Sequence, residues 1–129
     1  MGGENQLITG TVTVGSGTVS ISGTVTTAGT ATISPTGGTL TDRSGTLTTA
    51  ATSQQIAPAN PSRRYLLIQN VSTTEILWVN FTAAATQAEP SIMLAANGGS
   101  LVMESSSVST EAVNVIAATA GHPWTAKEM

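Results

Sequence analysis

Cysteine is absent from this chain, which excludes a disulfide framework and any thiolate metal site but leaves the compartment open. Positive charge is scarce: four Lys and Arg stand against seven Asp and Glu, for a net charge of -3. A protein that grips phosphates needs a basic patch, so no nucleic-acid partner is expected. Long apolar runs are missing too. None approaches the roughly 20 residues of a membrane helix, so no membrane partner is expected. The opening MGGENQLITG carries neither a basic stretch nor an apolar run, and no secretory signal is expected in it. Strong helix formers are few and scattered, whereas Thr, Ser, Ala, Gly and Val dominate. That composition points to an all-β chain with almost no helix.

Reactive constellations are equally sparse. The one histidine, His122, sits in Gly-His-Pro, a turn setting that favours a structural or exposed role over catalysis. The seven acids, Glu4, Asp42, Glu75, Glu89, Glu104, Glu111 and Glu128, fall in no spacing of a paired-carboxylate or calcium-loop motif. Neither Gly15-Ser16-Gly17 nor Gly37-Gly38 is followed by the Lys-Ser/Thr of a phosphate loop, and no nucleophile elbow is present. The expectation is a non-enzymatic protein with no catalytic residues, no metal and no cofactor.

What the chain does have is a repeat. Gly-Thr-apolar-Thr/Ser units begin at Gly10, Gly17, Gly23, Gly29, Gly38 and Gly45, at steps of 7, 6, 6, 9 and 7 residues. Val12, Val19, Val25, Ala31, Leu40 and Leu47 occupy the apolar position, flanked by Thr or Ser. Such alternation, with Gly between units, reads as very short β-strands. Residues 1–62 contain no aromatic. At ~25 cal/mol per Å² of apolar area, one small side chain per unit does not offset ~1–2 kcal/mol of backbone entropy per residue. Residues 1–45 are therefore expected to be an extended arm, ordered by docking on a partner or by wrapping with other copies. A plain Gly/Thr linker is the competing reading. Fully extended, Gln6 to Ala50 would span about 150 Å.

The stretch Arg63–Phe81, RRYLLIQNVSTTEILWVNF, holds three of the four aromatics and reads as two paired strands joined at Asn70–Thr74. Thr46–Ile56 reads as a strand leading into them, and Ala57–Ser62 as a proline-stiffened connection. Ser91–Ala95 and Ser100–Glu104 read as a hairpin across Asn97-Gly98-Gly99. Ser105–Thr110 reads as a polar loop, with strands at Val113–Ala118 and Trp124–Lys127. Residues 46–129 thus suggest a small antiparallel β-sandwich, jelly-roll-like, with a thin core that self-association would relieve. For Arg63 and Arg64 two readings stand: an ion pair across a subunit boundary, or a solvated strand start. Tyr65, Trp78 and Phe81 suit a core or a subunit contact, and Trp124 suits a subunit boundary, where Trp is enriched.

The runs SQQIAPANPSRRYLLIQNVS (53–72), WVNF (78–81), SIMLAANGGSLVME (91–104) and VNVIAATAGHPWTAKE (113–128) resemble small virion structural proteins of tailed bacteriophages. The resemblance covers roughly residues 50–128. It implies a head decoration (cement) protein or a head-fibre-like protein, commonly a homotrimer, with the major capsid protein as partner, assembled in the bacterial cytoplasm and carried on the virion. Interface contacts are then expected at Val12, Val19, Val25, Leu40, Arg63, Arg64, Tyr65, Trp78 and Trp124. The alternative within that setting is a head- or tail-fibre adhesin whose repeats form a shaft. A carbohydrate-binding module would want more exposed aromatics. An ice-binding lattice of Thr-x-Thr would want an even repeat, which steps of 6 to 9 residues do not supply.

Overall fold

Side-chain alternation decides which strands can face one another. The computed structural model describes residues 37–129, and the repeat units at Gly10, Gly17, Gly23 and Gly29, with Val12, Val19 and Val25, lie outside them. Nine strands follow in order: β1 Thr41–Asp42, β2 Gly45–Thr46, β3 Gln54–Ala57, β4 Tyr65–Asn70, β5 Leu77–Asn80, β6 Ile92–Leu94, β7 Ser100–Glu104, β8 Val113–Ile116 and β9 Pro123–Glu128. The one helical element among the described residues is a 3₁₀ turn, Ser105–Ser107. The expectation of an all-β chain therefore holds there.

The strands form two antiparallel sheets. One runs β1-β9-β4-β7, with β2 also on β9, and the other runs β3-β8-β5-β6. β1 and β2 behave as one irregular strand along β9. Between them the Arg43 N–H donates to the Ala126 carbonyl at 2.8 Å, and the Ala126 N–H donates to Ser44 Oγ at 3.0 Å. The sheet begins at Thr41, ahead of the boundary at 45/46 expected from the repeats. Thr46–Ile56 is not one strand. It breaks at a turn where Leu47 is buried and the Gln54 side chain accepts the Thr48 N–H at 2.8 Å.

Two expected hairpins are crossings between sheets. β4 belongs to the first sheet and β5 to the second, and likewise β7 to the first and β6 to the second. Apolar alternation is the same whether the next strand lies beside its predecessor or opposite it. Here the opposite arrangement wins, because the inward residues Leu66 and Ile68 of β4 and Leu77 and Val79 of β5 are all fully buried in one core. Val113, Val115, Leu47, Leu94, Trp124 and Ala126 join it, with Ala57 and Ala117. Both crossings are pinned by one side chain: Asn70 Nδ2 donates to the carbonyls of Glu75, Leu94 and Ala95 at 2.8, 3.0 and 3.2 Å. Gly99 is required on the β6–β7 crossing, where a Cβ would collide with the Ala95 backbone.

Candidate interaction surface

Two polar centres bracket the antiparallel pair β4–β9 at the middle of the first sheet. At one end Arg63, expected at a surface, is instead buried. Its Nε donates to Glu128 Oε2 at 2.8 Å, Nη1 donates to the Ser109 and Glu111 carbonyls, and Nη2 to the Pro58 carbonyl, all at 2.8 Å. Arg43 grips the other carboxylate oxygen through Nε at 2.8 Å and Nη2 at 2.7 Å. A buried charge is tolerable only when paired and fully hydrogen-bonded, and the rigid guanidinium fork achieves this by reaching two loops and the end of β9 at once. Burial pushes the Glu128 carboxyl up, but the hydrogen bonds and charges of Arg63 and Arg43 outweigh it and hold the group below the usual range.

At the other end His122 is also buried. Nδ1 lies 2.7 Å from Glu75 Oε2 and Nε2 lies 2.9 Å from Asn70 Oδ1. The Asn70 amide can point only one way, since its nitrogen serves three carbonyls and its oxygen accepts the Ser72 N–H at 3.0 Å. Both ring nitrogens therefore face acceptors. The hydrogen bond from His122 is the main influence holding Glu75 below its ordinary range, with Thr119 Oγ1 adding two contacts at 3.0 and 3.1 Å. No spacing rule pairs residues 75 and 122, so this centre was not legible from sequence.

Asn70-Val71-Ser72 and Asn80-Phe81-Thr82 match the Asn-x-Ser/Thr glycosylation triplet, and both asparagines have structural roles. Asn70 and Asn80 are both buried, and each side-chain oxygen accepts the N–H two residues on, closing a strand with a turn.

Of the residues expected at an interface, three share one neighbourhood. Tyr65 points to the outer face of the first sheet, half-buried, and Leu40 and Met129 join it around a shallow apolar hollow with Gly37 and Gly38. Leu40 is 52% exposed. Arg64 is exposed and packs so closely on Gly38 that a Cβ there would strike its guanidinium. Among the described residues Arg64 makes no ion pair. Alternation puts Leu67 of β4 and Val102 of β7 on this face, directly opposite one another. Trp78 lies elsewhere, on the outer face of the second sheet between Met93 and Ile116. Trp124, expected at a subunit boundary, is buried in the core, its indole N–H donating to the Arg43 carbonyl at 2.9 Å. β9 turns it inward because Trp124, Ala126 and Glu128 alternate on the core side.

No three His, Cys, Asp or Glu side chains cluster as metal ligands among the described residues. No helix of the described residues is long and apolar enough to cross a membrane. Comparison with known proteins returns no matching family model, no similar curated protein and no matching solved structure.

Proposed function

We propose that this chain is a non-enzymatic structural protein of a tailed-bacteriophage virion, a decoration protein that binds and stabilises the outer capsid shell as an oligomer. The observation that carries the reading is the strand order. With β1 and β2 taken as one bulged strand, every pair of successive strands except β5 and β6 lies in different sheets, giving β1/β2-β9-β4-β7 over β3-β8-β5-β6. This order supports reading the domain as an eight-stranded jelly roll, an architecture used by viral capsid domains, lectins and cupins. Fold alone does not assign function. Three further features favour the capsid. The space between the sheets is filled by aliphatic side chains and Trp124, the polar centres are spent on internal bracing, and the sequence resembles small virion proteins.

In this reading the outer face of the first sheet, around Leu40, Arg64 and Tyr65, contacts the major capsid protein. The repeat arm straps neighbouring subunits in this reading. A homotrimer is the form implied by the resemblance. A fibre or adhesin reading has one observation in its favour, a shallow groove lined by the hydroxyl-rich set Thr48, Thr49, Thr52, Ser53 and Gln54.

Co-sedimentation with undecorated capsid shells of the encoding phage tests the proposal. The full chain is expected to pellet with shells, and Leu40→Asp with Tyr65→Ala to weaken that binding at least about tenfold, the loss expected when apolar anchors leave an interface. A chain that ignores shells yet binds host-surface glycans would sink the decoration role.

A further inference from the structure

Sheet edges carry unpaired backbone groups, and proteins usually guard them with charge, proline, bulges or shortness. Three of the four edges among the described strands are guarded. The β1/β2 edge is irregular and carries the Asp42–Lys127 pair at 3.2 Å. β3 has a register shift between Gln55 and Ala57. β6 is three residues long and closely follows Pro90. The fourth, β7, is five residues in unbroken register with β4, has no proline, lysine or arginine, and carries one charge at its end, Glu104.

The backbone direction at β7 follows from β4. Tyr65 exchanges both backbone hydrogen bonds with Met129, each 3.1 Å, so odd-numbered residues of β4 address β9 and even-numbered ones address β7. Opposite those, Leu101 and Met103 spend their N–H and C=O on β4. Ser100, Val102 and Glu104 aim theirs away from the sheet. The edge strands β7 and β6 carry three of the exposed large apolar side chains: Val102 (48%) on β7, and Ile92 (39%) and Met93 (54%) on β6.

We propose that β7 is a self-association edge, and that its occupant is the β7 of a second copy, antiparallel, about a two-fold axis at Val102. This register is self-complementary. Val102 meets Val102 of the partner subunit, Glu104 falls opposite an uncharged Ser100, and half-buried Leu101 falls opposite half-buried Met103 at the mouth of the core. All free donors and acceptors of Ser100, Val102 and Glu104 find partners, about six backbone hydrogen bonds in total. Shifting the register by one residue would pair groups already spent on β4. The inference is independent of the capsid reading, because it rests on the strand edge alone.

The test is the solution mass of the full chain by light scattering after size exclusion, with two variants. Wild type is expected as a dimer or a higher even assembly. Val102→Lys sets two like charges face to face at an exposed position. It is expected to raise the dissociation constant at least about tenfold while thermal unfolding of the subunit stays nearly unchanged. Val102→Cys, in a chain with no other cysteine, is expected to form a disulfide-linked dimer on mild oxidation, faster than Val71→Cys at a comparably exposed site. A wild-type monomer at all concentrations would overturn the pairing. So would a wild-type trimer, which a two-fold pairing cannot build, or equal cross-linking at Val71 and Val102.

Discussion

Arg63 and Glu128 are 65 positions apart in sequence and 2.8 Å apart in the fold. Their value to the protein is conditional, since the pair helps only while every donor is satisfied. Arg63→Lys removes the fork that reaches Pro58, Ser109 and Glu111 and leaves carbonyl acceptors unmet. A loss of roughly 2–4 kcal/mol is expected, read by chemical denaturation. Glu128→Gln should cost a similar amount, because it strands a buried guanidinium. A variant that unfolds at the wild-type midpoint would mean that water takes over the lost contacts. His122 is bound by the same logic, as its nitrogens face Asn70, held by backbone groups, and Glu75, held by the Thr119 hydroxyl.

Among the elements, the two crossings between sheets are what set the topology. Asn70 holds the β4–β5 and β6–β7 crossings together, and Gly99 allows the second to close against Ala95. Gly99→Ala is therefore expected to destabilise by about 1–3 kcal/mol, since the obstacle is backbone and not a side chain that can swing aside. Gly121→Ala differs in kind. It has open space around it, and only its positive φ of 80° opposes a Cβ, at a cost of about 1 kcal/mol. Thermal melts of the two variants side by side should rank them in that order.

For the whole molecule, acid is the relevant stress. Glu75 and Glu128 are held below their ordinary range in the folded state, and Asp42 is lowered to about 2, chiefly by its hydrogen bonds with Ser44. A carboxyl whose folded pKa is depressed contributes stability above its unfolded pKa and loses it as pH falls through the folded one. The melting temperature should hold at neutral pH and fall below about pH 4, near the unfolded carboxylate range. Glu128→Gln should flatten part of that fall, whereas a profile identical to wild type would remove Glu128 from the acid response.

Local sequence was sufficient for the β-class and for most strand positions. Period-two alternation and the shortage of helix formers act within a few residues, so they are visible in one dimension. The partners of those strands were not legible. Alternation in β4 and β5 fits a hairpin and a sandwich equally well, and the choice came from burying Leu66, Ile68, Leu77 and Val79 against each other. The same limit hid the fates of Arg63, His122 and Trp124. A charged, titratable or aromatic side chain goes inside only where distant residues supply its hydrogen bonds, and here these came from Glu128, from Glu75 with Asn70, and from the Arg43 carbonyl. Composition and periodicity determined what kind of element each stretch would form. Long-range pairing, which satisfies buried polar groups and joins the two sheets over one core, decided where each element would lie.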